Sequence, residues 1–332
     1  MSVWVGIDVA AKTVEMVSRS RGKNAKSLSF EQTPAGHRQL ILKLQRLKSV
    51  GIVLEATGIY YLDLAIALDE AGLPVAVINP KSGRRFAELK LEHTKTDGVD
   101  AGLLAEYAER MTPRRWRAPD ATRLALRDLG RQINRLNSAR TQAKNRLHAL
   151  QGKRSTLKLL IDDEREGIAR LELRIHKLQQ AAVELIIAPS AELTAHMQCL
   201  TAACGVGQAT AISVLAEFCV LPLHLKAPQV CRHAGLDVRL HDSGSSVKRP
   251  GRLSKAGNAY LRAALYMPAM SAIQHDPRAK AFYAALVARG KKKIQALCAV
   301  MRKYLMGLWH CFTHNVPFDS AKLFDERHLA TA

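Results

Sequence analysis

Acidic residues are scarce in this chain: 29 Asp and Glu stand against 50 Lys and Arg over 332 residues, a formal charge of +21. Such an imbalance points to a polyanionic partner, with nucleic acid the leading candidate. Long apolar runs are missing as well. None approaches the roughly 18 residues of a spanning helix, and Asp8 and Lys12 interrupt the N-terminus before a signal-like stretch forms. A membrane role is therefore not expected, and the cytoplasm is the expected compartment. The six cysteines all lie beyond residue 198 and include no C-x-x-C pair, which disfavours a disulfide framework or a zinc knuckle and leaves buried free thiols. What is plentiful is apolar residues, 48% of the chain, enough for a substantial core and two or three domains.

The first hundred or so residues read as α/β. Val3, Val5, Ile7 and Val9 alternate with Trp4, Gly6 and Asp8, a strand whose second face carries the aspartate near its C-terminal end. Strands over Glu15 to Ser20 and Lys26 to Phe30 flank the turn-forming Arg21-Gly22-Lys23-Asn24, so an antiparallel meander is expected. A helix over Ala35 to Leu47 precedes Gly51 to Glu55, an apolar run ending in an acid, as for an interior strand covered on both faces. Leu62 to Ala71 is helical up to Gly72, and Val75 to Ile78 is another buried strand. Three strands, helix, strand, helix, strand is the order of the ribonuclease H fold.

Four carboxylates fall at telling places in that order. Asp8 and Glu55 end apolar strands, while Asp97 and Asp100, at i and i+3 near the start of a helix through Leu103 to Met111, share one face. Clustered carboxylates repel unless a cation neutralises them, and Mg²⁺ takes oxygen ligands while keeping water for phosphoryl chemistry. Taken singly, each acid also has a plain reading, as a turn residue, a strand-end charge or a helix-start acid favoured by the dipole.

From Thr112 to Lys158, 13 Arg or Lys face only Asp120 and Asp128. Arg123, Arg127, Arg131 and Arg135 recur every four residues as one helical stripe available to phosphates, and Leu126, Leu129, Ile133 and Leu136 form a packing stripe. Ile161, Glu164, Ile168, Leu171, Ile175, Leu178, Ala182 and Leu185 continue as a heptad seam, so two long antiparallel helices are expected around Gln151-Gly152-Lys153. After Ala188-Pro189-Ser190 comes a mainly helical region. Gly205-Val206-Gly207 between two apolar helical patterns is similar to a helix-hairpin-helix, or is simply a tight connection. A short helix from Ala227 to Gly235 is followed by a basic, hydroxyl-rich loop containing His241-Asp242-Ser243-Gly244-Ser245-Ser246, Lys248, Arg249, Arg252 and Lys255. Helical stretches then run from Asn258 through Met270, interrupted in pattern at Pro268, and from Gly290-Lys291-Lys292-Lys293 through Trp309.

Taken together, Gly6-Ile7-Asp8, Glu55-Ala56-Thr57-Gly58, Val77-Ile78-Asn79-Pro80, Lys95-Thr96-Asp97-Gly98-Val99-Asp100-Ala101, Ala234-Gly235-Leu236, Asp242-Ser243-Gly244-Ser245-Ser246, Ser254-Lys255-Ala256-Gly257-Asn258 and Leu265-Tyr266-Met267-Pro268-Ala269-Met270 give the chain a marked resemblance. It resembles the DEDD transposases of bacterial insertion sequences of the one-ten type, over nearly its full length. One departure is Asp237-Val238 after Gly235-Leu236, where relatives often have a residue and then proline.

The resemblance implies a RuvC-like α/β catalytic domain over residues 1–115, a basic antiparallel coiled coil over 116–188 and a helical, serine-bearing transposase domain over 189–332. It maps an acidic tetrad holding Mg²⁺ onto Asp8, Glu55, Asp97 and Asp100, and a nucleophile onto Ser243. It implies donor and target DNA as partners, a structured bridge RNA as guide, a bacterial nucleoid-associated location, and a dimer assembling to a tetramer in which the acids and Ser243 form a composite site. Arg123, Arg127, Arg131, Arg135, Lys248, Arg249, Arg252 and Lys255 are the candidate nucleic-acid contacts. Two alternatives stand beside it: a RuvC-like junction endonuclease with water as nucleophile, and a non-catalytic nucleic-acid-binding protein.

Overall fold

The computed structural model describes residues 2–91, 96–187, 191–243 and 247–325; the side chains at 240–243 and 247–250 lie outside the description. The chain divides into two compact units, Met1–Ala118 and Pro119–Ala332. Among the described residues no helix is long and apolar enough to cross a membrane.

In the first unit the strands β1 (Trp4–Val9), β2 (Thr13–Ser20), β3 (Lys23–Asn24) and β4 (Leu28–Glu31) lead into helix α1 (Pro34–Leu47). Strand β5 (Gly51–Glu55), helix α2 (Tyr61–Glu70), strand β6 (Val75–Ile78) and helices α3 (Pro80–Leu89) and α4 (Asp97–Met111) follow. The sheet runs β3-β2-β1-β5-β6, with β4 also on β2. β2 is antiparallel to β1, whereas β5 and β6 run parallel to it. This is the arrangement expected of a RuvC-like α/β domain. β5 and β6 are short and almost wholly apolar because a parallel interior strand is covered on both faces. On one face Val5, Ile7, Ile52, Leu54 and Val75 meet Leu40 and Leu44 of α1 and Leu64 and Leu68 of α2. On the other, Val53, Ala76 and Ile78 meet Leu104 and Ala108 of α4. The expected third strand divides: Arg21 and Gly22 take positive φ at the turn, β3 lasts two residues, and β4 begins only at Leu28. Helix α3 is an addition to the elements read from the sequence.

The second unit opens with α5 (Ala121–Gln151) and α6 (Lys158–Ile187). They pack antiparallel, since Lys144 pairs with Glu172 and Arg146 with Glu164. Leu126, Ile133, Leu136, Ile175, Ala182 and Ile186 join a core that continues through Phe218, Tyr304, Trp309 and Phe312. Around it lie α7 (Ala191–Thr201), α8 (Gln208–Phe218), α9 (Ala227–His233), strands β7 (Val238–Ser243) and β8 (Val247–Leu253), α10 (Ala259–Ala264), α11 (Tyr266–His275), α12 (Pro277–Ala288) and α13 (Lys293–His314).

Three expectations are altered here. The basic loop after residue 237 is largely a hairpin: β7 and β8 pair from Val238↔Leu253 to Ser243↔Val247, with an irregularity between Arg239 and His241. Its residues show no apolar alternation in the sequence, and Pro250 is tolerated because in a two-stranded ribbon every strand is an edge. The helix expected through Met270 breaks at Leu265. Proline lacks an N–H and its ring would strike the carbonyl four residues back, at Ala264, so a new helix starts with Pro268 in its first turn. Finally, Gly205 has a packing reason for being glycine: its φ is +77° and a Cβ would lie 2.6 Å from Ser271 Cβ.

Candidate active site

The four acids are delivered to one place by three separate local devices. Asp8 is carried on β1, directly across the ladder from Glu15. Two residues earlier on the same face is Gly6, where a Cβ would lie 2.0 Å from Ala101 O and 2.2 Å from Ala105 N. The glycine thus lets the backbone of α4 rest directly on β1. That approach brings the start of α4 beside Asp8. The helix begins at Thr96, whose hydroxyl accepts from Val99 N at 3.3 Å, and both Asp97 and Asp100 fall in its first turn, where the dipole favours negative charge. Glu55 ends β5. The chain then turns sharply, with Ala56 N donating to Ile78 O at 2.9 Å and Gly58 at φ +60°. Room for the Glu55 carboxylate comes from Gly83 on α3, where a Cβ would lie 1.8 Å from Glu55 Oε1.

Asp8, Glu55, Asp97 and Asp100 all line one cavity of about 810 Å³, together with Thr57, Gly83 and Arg84. The cavity lies within the first unit. Helix α4 is braced further along by Glu106, which accepts from Lys90 at 2.9 Å and Arg110 at 2.7 Å and lies 3.9 Å from Arg19. Burial alone would raise the Glu106 pKa, but these cations outweigh it and hold the carboxyl below its ordinary value. Arg19 also reaches Glu109 at 2.7 Å. Two β2–α4 ion-pair contacts therefore fix the helix that carries half the tetrad.

The donor set is all oxygen, which suits a hard divalent ion of the Mg²⁺ class, and Gly83 supplies a cradle that a larger residue would fill. Among the described residues no group of three or more His, Cys, Asp or Glu is arranged to hold a metal as it stands. The fit is one of donor chemistry and shared cavity.

The other sequence-predicted residues lie in the second unit. Ser243 is the last residue of β7, opposite Val247; its side chain, those of Lys248 and Arg249, and all of Gly244-Ser245-Ser246 lie outside the description, as does Lys95. The base of this hairpin is fixed: the Ser254 hydroxyl bonds Asp237, Ser254 N donates to Asp237 O at 2.9 Å, Lys255 N to Gly235 O at 3.1 Å and Asn258 N to His233 O at 2.7 Å. Gly257 is essential to that crossing, since a Cβ there would lie 2.0 Å from His233 O.

The arginine stripe is engaged within the unit. Arg123 pairs with Asp120 and Glu192, Arg127 with Asp128, and Arg135 reaches the Tyr260 hydroxyl at 3.3 Å. Arg131 turns inward, donating to both oxygens of buried Glu217 at 2.7 and 2.9 Å, with its guanidinium over the Tyr260 ring. Asn258 donates to the same carboxylate. Glu217 went unremarked in the sequence, although an acid inside the apolar pattern of α8 signals a buried partner. Thr57 and Gly83 also went unread as site residues; the Glu55-Ala56-Thr57-Gly58 block was the available signal for the first.

Two family models match the chain. One, described as a transposase of the DEDD IS110 type, covers residues 5–151, and the other, described as the transposase IS116/IS110/IS902 family, covers residues 197–284. This chain belongs to the IS110-type transposases. The IS110-type chain is also similar to the pilin gene-inverting proteins of Moraxella bovis and Moraxella lacunata, each 27% identical over 327 residues, covering 95% of this chain and 97% of the relative. Among solved structures it matches T. thermophilus RuvC in complex with a Holliday junction substrate, at 15% identity and a TM-score of 0.28, over 35% of this chain and 99% of RuvC. A second Thermus thermophilus RuvC structure gives 15% identity and a TM-score of 0.27, over 34% and 98%. As an IS110-type transposase the chain is an enzyme acting on DNA.

Proposed function

We propose that this transposase cuts and exchanges donor and target DNA strands, guided by a structured bridge RNA, using a divalent metal held by Asp8, Glu55, Asp97 and Asp100 and a nucleophile at Ser243. The observation that carries the reading is the convergence of those four acids, from β1, β5 and α4, on one cavity. When bound, a divalent cation there supplies charge neutralisation at the scissile phosphate. Ser243 Oγ attacks phosphorus, the P–O3′ bond breaks, and the 3′-hydroxyl leaves with a proton. A 3′-hydroxyl of the partner duplex then attacks the phosphoserine, re-forming a P–O3′ bond and returning the proton to the serine. One phosphodiester is conserved through the exchange. Gene inversion, named for the Moraxella relatives, is a rearrangement that such an exchange would also yield.

The charge of +21 suits an assembly of one RNA with two duplexes, in which base pairing carries specificity and the protein holds backbone and shape. Arg252 and Lys255, at the end of and just beyond the hairpin, are proposed backbone contacts, with Lys248, Arg249 and the outer arginines of α5. Arg131 is better assigned to the fold. Assembly of dimers into a tetramer would bring acids and serine to the same phosphate.

The test is a denaturing gel of purified protein with Mg²⁺, labelled donor and target DNA, and RNA transcribed from the element's flanking noncoding region. A labelled band at protein mass, present only with RNA and absent in Ser243→Ala, is the expected result. Asp8→Asn should abolish exchange with DNA binding retained. Cleaved DNA without the band would replace the serine step by water, and an adduct formed without RNA would remove the guide.

A further inference from the structure

A second cavity lies in the same unit, on the face of the sheet covered by α1 and α2. It measures about 480 Å³ and is lined by residues that include Ala11, Gln32, His37, Ile59, Tyr60 and Asp63. Both of its connecting loops continue acid-bearing strands: Ala11 follows Asp8 by three residues and Ile59 follows Glu55 by four. At an extended reach of about 3.6 Å per residue, the backbone at Ala11 and Ile59 lies within roughly 11 and 14 Å of the backbone at Asp8 and Glu55, although the cavity opens on the other face of the sheet. That is about four nucleotides of a strand rising 3.4 Å per base.

The loop at its rim sets two large apolar side chains out to solvent. Ile59 is 79% exposed and Tyr60 45%. Tyr60 leads into α2 with helical dihedrals, at φ −70° and ψ −27°. Yet the loop is held in place. Gln32 Nε2 donates to Tyr60 O at 2.6 Å, and Gln32 Oε1 is bonded in turn by His37 Nε2 at 2.9 Å. An anchored backbone presenting an aliphatic and an aromatic side chain to water, beside polar groups and at the same sheet end as the acids, is the pattern of a functional surface. Aromatic rings set out beside a phosphoryl-transfer centre suit the face of an unpaired base, which stacks without regard to sequence. The lining holds both Asp63, which can accept from a base edge, and Arg38, which can meet the adjoining phosphate.

We infer that this cavity, on the opposite face of the sheet from the acids, receives an unpaired nucleobase a few nucleotides from the scissile phosphate, stacked on Tyr60 with Ile59 at its edge and Gln32 and His37 fixing the loop. The inference rests on the DNA-exchange reading above. The base could belong to a DNA strand opened for exchange or to the guide RNA.

Fluorescence anisotropy with the full chain carrying Asp8→Asn, so that no cutting occurs, tests it against three probes: a ten-nucleotide single-stranded DNA, the same sequence as RNA, and a paired duplex. Tyr60→Ala should weaken a single-stranded probe by about five- to a hundredfold, the worth of one stacked base. Tyr60→Phe should stay within about twofold, as should duplex binding by either variant. Loss for DNA only, or for RNA only, supports the pocket and names the source of the base. Cross-linking of 5-iodouracil in the affected strand should map to Tyr60 or its neighbours in this lining. Unchanged single-strand binding in Tyr60→Ala, equal loss on duplex, or cross-links elsewhere would overturn the pocket while leaving the exchange reading intact. A chain that bound none of the probes would overturn the pocket, while the exchange reading is decided by the gel that includes the guide RNA.

Discussion

Replacing Gly6 with alanine is the sharpest test of how the site is built. A Cβ at that position would meet Ala101 O at 2.0 Å and Ala105 N at 2.2 Å, whereas real Cβ contacts essentially never fall below 3.0 Å. Both neighbours are helix backbone, so no rotamer change relieves the clash. Helix α4 must retreat from β1 by at least about 1 Å, the difference between those distances, and it carries Asp97 and Asp100 with it. Overpacking of this kind costs about 1–3 kcal/mol, or a fall in melting temperature of roughly 5–20 °C for a unit of this size. A displacement of about 1 Å at reacting groups costs about a hundredfold in rate. The expected outcome is a folded variant, by circular dichroism, whose strand-exchange rate falls about a hundredfold at temperatures well below its unfolding. Gly51→Ala is the control, because a Cβ there meets the Trp4 ring, at 2.5 Å, rather than backbone; the ring can turn aside and activity should stay within a few fold. Wild-type activity in Gly6→Ala would refute the view that direct contact between β1 and α4 sets the acids.

Other consequences concern stability. Glu217 is 2% exposed and bonded by Arg131 and Asn258; Arg131→Ala leaves its charge buried and should cost about 3–5 kcal/mol in urea unfolding. Asp276 accepts from Arg278 N and Ala279 N at the start of α12, so Asp276→Ala should cost about 1–2 kcal/mol by the same measurement. Glu106 has its pKa held below the ordinary value near 4.5. A carboxyl depressed by folding contributes stability that is fully present above its unfolded pKa and lost as pH falls through the folded one. The urea midpoint of the wild type should therefore drop as pH is lowered below about 4.5, and Glu106→Gln should flatten that drop.

Much of the first unit was legible in the sequence because its central strands β1, β5 and β6 are buried on both faces. Gly51–Glu55 and Val75–Ile78 read as strands to the residue, and Asp8 and Glu55 stood out as acids ending apolar runs. The start of α4 was legible from the spacing of Asp97 and Asp100, and the Thr96 cap came with the structure. The hairpin β7–β8 was not legible, since the sequence there, with His241, Asp242, Lys248 and Arg249, carries no apolar alternation and reads as a basic loop. The inward turn of Arg131 was hidden for another reason. A stripe at every fourth residue records which side of α5 the arginines occupy, and only the position of Glu217 on α8 decides that one of them faces protein.

The site's geometry is set as much by missing side chains as by the acids. Gly6 admits α4 to β1, and Gly83 admits the Glu55 carboxylate to α3. In the sequence Gly6 interrupts a strand, where glycine ordinarily weakens pairing, and Gly83 sits in a helix, where it costs about 1 kcal/mol against alanine. Neither position needs a positive φ. The first penalty is accepted where a methyl group would push apart two elements that carry acids, the second where one would displace the Glu55 carboxylate. The tetrad is thus placed by backbone approach across the first unit, and substitutions that add one carbon there should disturb phosphoryl transfer more than they disturb folding.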